Sequence, residues 1–298
     1  PGFNNKVKIW VSNPNLTNDP NPSNDTITFN IFGCDTALRG IYTIGGPGAD
    51  FANISEALLP ATYCGIAGPV TFVLNSGVYN EAINLNRTIQ GLSASNTITF
   101  VSAANHPDSV QIYFSGTTVY LSSISNIRFH YLTLGNTSNI AGRTVLFEGN
   151  CSDIDFYGCN IYSSITATSD ASCGVYYSQS SGVTTCLNDV RFIKNTLSGG
   201  YANFYFYYGC GSSSYIANSS IIIDSNVMTE AYSYGVYTYY YTYFPSISHN
   251  TIVTRAVGTT QYGLYLYYYC TINEVIGNRI KLQSTATAYG IYMGIFNN

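Results

Sequence analysis

The frame apolar-x-apolar-x-x-Asn-x-apolar returns along this chain at intervals of 24 to 35 residues, and a strand pattern repeated at that period leaves few folds open. Val190, Phe192, Asn195 and Leu197 fill the frame, as do Ile221, Ile223, Asn226 and Met228. Pro245, Ile247, Asn250, Ile252 and Asn273, Val275, Asn278, Ile280 keep it except at the first position. Upstream, Ile127, Phe129, Leu132 and Leu134 put leucine in the asparagine place, and Ile154, Phe156, Asn160 and Tyr162 read as a copy with one extra residue. Between copies runs a second frame, seen as GVYYS at 174, NFYFY at 203, GVYTY at 235, GLYLY at 263 and GIYMG at 290. Alternation with a period of two means strand. Short strands recurring at this period, with Gly, Asn and Ser between them, mean a parallel solenoid whose coils stack about 4.8 Å apart, so equivalent positions become columns.

The columns account for the run YGVYTYYYTYF at Tyr234 to Phe244. Val175, Phe204, Val236, Leu264 and Ile291, with Tyr177, Phe206, Thr238, Leu266 and Met293, are predicted to face the interior. Tyr176, Tyr205, Tyr237, Tyr265 and Tyr292 then share the outer face, beside a second outer column of Ser178, Tyr207, Tyr239, Tyr267 and Gly294. An outward tyrosine covers the sheet with its ring, stacks on the next coil and keeps its hydroxyl in water. Asn160, Asn195, Asn226, Asn250 and Asn278 are predicted to form a ladder at a bend, where stacked amides bond one another and the backbone freed by the turn.

Only 9% of residues are charged and the net charge is −4, with no basic patch to follow a phosphate backbone, so nucleic acid is excluded as a partner. No run of about eighteen apolar residues is present, so membrane insertion by a helix is excluded too. The eight cysteines lack C-x-x-C pairs and companion histidines, which argues against a zinc site and for disulfides in an oxidising compartment. No cofactor or metal is called for. Calcium would need more oxygens than Asp153 with Asp155, or Asp19 with Asp25, can bring together.

Residues 41 to 101 depart from the repeat. Asp50 is predicted as the N-cap of a helix carrying Phe51, Ile54, Ala57 and Leu58 on one face, with Pro60 as its stop. Strands are predicted at Val70 to Leu74, Ala82 to Leu85, Thr97 to Val101 and Val110 to Phe114. The order ADFANISEAL, VTFVLNSGVYNEAINL, NTITFVSA resembles the opening of pectin methylesterases and other members of the pectate-lyase-like β-helix superfamily, in which a cap helix precedes the first coils. The asparagine frames resemble the generic parallel β-helix repeat. The resemblance implies an all-β, right-handed parallel β-helix of about nine coils over residues 34 to 298. Ahead of it, KVKIWVSNPNLTNDPNPSNDTITFNIF within residues 1 to 33 reads as strands Val7 to Val11 and Thr26 to Ile31. This hairpin is similar to the closing hairpin of the immunoglobulin-like modules in large secreted bacterial surface proteins.

The esterases implied by the resemblance use two aspartates, a glutamine and an arginine on one exposed sheet. DIDFYG at 153 to 158 resembles their Asp-Phe-aromatic-Phe-Gly stretch, but no Gly-Tyr-Gln-Asp segment precedes it and no Gly-Arg-Pro-Trp segment follows. Asp155 is therefore read with Arg128 and Arg191 as a surface ladder of alternating charge. Arg279-Ile280-Lys281 copies three residues of the polygalacturonases without their Asn-Thr-Asp, paired aspartate or Gly-His-Gly loop. No catalytic residue is assigned. The nearest approach to a grouped site is Glu148, Asp153 and Asp155.

Cys34 and Cys64 are predicted to staple the entry segment to the cap helix, and Cys151 and Cys186, before equivalent strands of adjacent coils, to bridge. Cys210 and Cys270 fall two coils apart, roughly 9.6 Å, beyond an undistorted bridge. The chain opens on Pro1 without a charged-then-apolar leader, reading as a mature secreted product or a piece of something longer. It finishes in GIYMGIFNN, which implies an open last coil closed by further chain or by another subunit. The function these features point to is a non-catalytic extracellular or cell-surface solenoid, structural or adhesive and self-associating end to end or laterally, with carbohydrate as the other partner for the tyrosine face. The alternative is a carbohydrate-active enzyme, esterase or lyase, on the same fold.

Overall fold

The computed structural model describes residues 3–10, 21, 23, 25–34, 36–138 and 141–294, the side chains of 3–5 and 29–32 excepted. Val11, Asp19 and the final four residues of GIYMGIFNN lie outside that set. Three parallel sheets of nine, eight and eight strands run along the molecule. Each coil feeds them in turn: Leu187–Ile193 joins the first, Thr196–Ser198 the second and Ala202–Tyr207 the third, after which the chain returns to the first one coil further on. The result is a right-handed parallel β-helix of about nine coils. The predicted register holds, with Val175, Phe204, Val236, Leu264 and Ile291 as successive partners in the third sheet and Tyr176, Tyr205, Tyr237, Tyr265 and Tyr292 beside them.

The core is built in columns. On the inner side of the first sheet Phe72, Phe100, Phe129, Phe156 and Phe192 lie ring over ring, with centroids 4.6 to 5.4 Å apart, and all five are fully buried. The column continues as Ile223 and Ile247. Tyr177 is buried as predicted, and its hydroxyl donates to the carbonyl of Gly149. On the last described coil Ile291 and Met293, predicted interior, are 47% and 54% exposed, because no described coil covers them.

The cap helix, Ile54–Cys64, buries Ile54, Ala57, Leu58, Pro60 and Ala61 over the first coils. Its start corrects the sequence reading. Asn53, not Asp50, is the N-cap and accepts from the Glu56 N–H, while the Glu56 carboxylate accepts from Ala52. Asp50 instead accepts from the Thr43 N–H and hydroxyl, bonds that hold its carboxyl below the usual range. Pro60 does not stop the helix but sits inside it. The lost backbone bond is compensated by burial of its ring with the other core-facing residues.

Cys34 and Cys64 form the predicted staple. Cys151 does not bond Cys186: the second disulfide joins Cys186 to Cys210, and Cys151 is a buried free thiol. Cys151 is the register partner of Leu187, so Cys186 is one residue out of step and its side chain turns to the opposite side of the strand. The returning segment around Gly209 crosses there and brings Cys210 within 4.5 Å, Cα to Cα. The hairpin pairs Phe3–Trp10 antiparallel with Thr26–Gly33, leaving Ile9, Trp10 and Ile27 exposed.

Candidate functional site

The turn from first to second sheet sets the geometry of everything beside it. In six successive coils a residue at positive φ precedes the ladder position: Tyr131, Gly158, Lys194, Ser225, His249 and Gly277. Four are not glycine, so the bend is held by its contacts rather than by local preference. The contacts come from the asparagines. Asn195 Nδ2 donates to Asn226 Oδ1 at 3.1 Å, Asn226 to Asn250 at 3.1 Å and Asn250 to Asn278 at 2.9 Å. Each Nδ2 also reaches a carbonyl one coil back, and each Oδ1 accepts the N–H of the preceding ladder residue. Asn160 is not in the ladder. Cys159 holds that place, its N–H donating to Asn195 Oδ1, while Asn160 sits one residue on and donates to Asp108 and Thr133. The frame of that coil is therefore Ile154, Phe156, Cys159, Ile161, without an inserted residue.

The outer face of the third sheet is a wall of tyrosines. Tyr176, Tyr205, Tyr237, Tyr265 and Tyr292 stack at 5.1, 4.4, 5.2 and 5.2 Å with planes within 8°. Tyr207 and Tyr239 stack at 5.5 Å, with Tyr267 tilted at 5.6 Å from Tyr239. The sequence reading missed three further columns: Tyr208, Tyr240 and Tyr268; Tyr241 and Tyr269; Tyr234, Tyr262 and Tyr289. Tyr208, Tyr240 and Tyr268 have positive φ, which removes them from the alternation that made the first columns legible. No charged residue occurs in the strands Ser172–Ser178, Ala202–Tyr207, Tyr234–Tyr239, Gln261–Tyr267 or Ala288–Gly294. Burial first, then the Asp170 carboxylate at Tyr205 and neighbouring phenols at Tyr237 and Tyr265, oppose ionisation: the pKa values of Tyr205 and Tyr237 lie well above that of free tyrosine, and that of Tyr265 is pushed up to about 12.

Stacking along the solenoid axis has a chemical consequence. Inside a column both ring faces are covered by neighbours, so the wall presents ring edges and hydroxyls. The start of the main column is closed as well, because the Arg143 guanidinium lies 3.5 Å over the Tyr176 ring. A sugar that must stack on a ring face finds few faces here. Beside the wall, Thr168, Ser169, Asp170, Tyr201 and Tyr205 line a shallow hollow of about 290 Å³.

The first sheet carries a different group on its outer face. Arg128, Asp155 and Arg191 are register partners on three coils, as predicted. Their side chains form a cluster rather than a simple ladder. Arg128 grips both oxygens of Asp153 at 2.6 Å and also donates to its carbonyl. Arg191 reaches Asp153 at 3.2 Å, Asp189 at 3.5 Å and Asp155 at 3.9 Å, and His130 lies 2.9 Å from Asp155. Lys194 donates to the Tyr157 hydroxyl alongside. Glu148, grouped with these acids in the sequence reading, lies elsewhere, on the third sheet, and accepts from Tyr120. Asp153 and Asp189 join the cluster because both have positive φ, which local pattern does not announce. Among the described residues no group of three or more His, Cys, Asp or Glu is placed to hold a metal.

Three sheets, a cap helix and tight asparagine-lined bends define a right-handed parallel β-helix. The structure of pectin methylesterase from Aspergillus niger, in deglycosylated form, aligns with a TM-score of 0.53 at 12% identity, over 88% of this chain and 86% of that one. A second structure of that enzyme, penultimately deglycosylated, aligns equally well. No family model matches the sequence, and no curated protein does. The likeness is one of fold.

Proposed function

We propose that this chain is a non-catalytic, secreted β-solenoid of an extracellular or surface assembly, and that it associates with copies of itself laterally through the tyrosine wall. The observation that carries the reading is the five-ring column Tyr176 to Tyr292, which spends its ring faces within the molecule and offers an uncharged field of edges and hydroxyls. A second wall of the same kind satisfies such a surface by hydroxyl bonds and edge contacts. Two disulfides support an oxidising destination. Sedimentation over a range of concentrations tests the reading: reversible association is expected, weakened by Tyr207→Glu with Tyr239→Glu. A chain monomeric throughout overturns it.

The alternative, a carbohydrate-active enzyme, is supported by the Asp153, Asp155, Arg128, Arg191 and His130 cluster on an outer sheet face and by the fold shared with a pectin methylesterase. Against it, both oxygens of Asp153 are held by arginine, and Asp155, bonded to His130 through one oxygen, has no second unpaired acid beside it among the described residues to serve as proton donor. Methanol release from methyl-esterified pectin, abolished by Asp155→Asn, would establish it.

A further inference from the structure

The tyrosine wall has chemistry of its own. Parallel phenols stand 4.4 Å apart at Tyr205 and Tyr237 and 4.5 Å apart at Tyr208 and Tyr240, and all four are half-buried with edges toward solvent. Stacking at this spacing places each phenol directly beside its counterpart in the next coil. Beside these two pairs Met228, Cys173 and Cys270 are buried, and the exposed thioether is that of Met293, on the last described coil.

We propose that the wall is a site of oxidative modification, in which a peroxidase-type oxidant using hydrogen peroxide couples stacked tyrosines of adjacent coils into dityrosines. Each phenol loses one electron and its hydroxyl proton to give a neutral phenoxyl radical. Two radicals join by a carbon–carbon bond between ring carbons ortho to oxygen, and the hydrogens on those carbons move to the oxygens, restoring two phenols. Hydrogen peroxide accepts the two electrons and two protons and leaves as two waters. The links tie successive coils of one chain covalently, so the inference stands independently of self-association.

The test uses the full chain, diluted until monomeric, treated with a haem peroxidase and hydrogen peroxide, then digested and mapped by mass spectrometry. Cross-linked peptides joining 205 to 237 and 208 to 240 are expected in the native chain and lost when the chain is oxidised in denaturant. Tyr237→Phe keeps the ring and the stack and removes the phenol. It should abolish the 205 to 237 link while leaving the circular dichroism and the 208 to 240 link unchanged. If that variant misfolds, Tyr240→Phe makes the same test on the neighbouring column. The proposal is overturned if native and denatured chains give the same links, if modification falls on Tyr63 and Tyr113 in place of the wall, or if links at position 237 persist in the phenylalanine variant.

Discussion

Phe129 over Phe156, inside the first sheet, and Tyr205 over Tyr237, outside the third, are the same construction used on the inner and outer sides of the solenoid wall. The first pair stacks at 4.6 Å inside the early coils and the second at 4.4 Å outside the later ones. The spacing is common to both because the backbone ladder imposes it. One oxygen decides the side: a phenol buried without a partner leaves a hydroxyl unsatisfied, whereas a phenyl ring carries no such penalty. Tyr177 and Tyr79 support the rule from the other direction, both buried inside with their hydroxyls spent on the carbonyls of Gly149 and of Ile44 and Asn75.

The largest effect should come from the inner stack. Phe129→Ala empties a fully buried ring site and is expected to cost about 3 to 5 kcal/mol in denaturant unfolding. Close behind, Asn226→Ala leaves the Phe192 carbonyl and the Asn195 N–H without their partners, a loss of about 3 kcal/mol by the same measurement. The outer stack should respond less. Tyr237→Ala, at a half-buried ring, is expected to cost about 1 to 2 kcal/mol, and if it matched Phe129→Ala the distinction between wall and core would fail. Asp153→Asn, which weakens partly exposed ion pairs with Arg128 and Arg191, should change stability by about 1 kcal/mol.

The smallest effect is a pH dependence in the later coils. Burial opposes ionisation of Asp224, but hydrogen bonds from Ser248, His249 and Ser225 outweigh it and hold its carboxyl below the ordinary value. A depressed carboxyl stabilises the fold above its unfolded pKa of about 4, and that contribution is lost as pH falls through the folded value. The stability difference between the chain and Ser248→Ala should therefore shrink on acidification below about pH 4.

Legibility followed the same divide. Strand faces, the main tyrosine column and four of the five ladder asparagines were readable because each follows from alternation repeated at one period. Asn160 was misplaced by one residue because a cysteine stands in the ladder place, and nothing in its type marks it as an equivalent of asparagine. Asp50 looked like an N-cap because capping depends on residue type, which Asp50 and Asn53 share, while the choice between them depended on Thr43 in a neighbouring strand. The ion cluster was half visible. The column Arg128, Asp155, Arg191 could be aligned, but Asp153 and Asp189 reach it through positive-φ backbone and His130 through a contact across coils.

By itself the sequence determined the architecture: a solenoid, the period of its coils, which strand residues line its interior and which make the two main columns of its tyrosine face. These properties are sums of nearest-neighbour terms along a repeating chain, so local pattern suffices to specify them. The tertiary structure alone decided that Cys186 bonds Cys210, that Pro60 lies within a helix, and that ring faces on the wall are covered while edges are free. Each of these depends on where a loop returns or how one coil sits on the next, a non-local contact whose free energy no single segment of the chain carries.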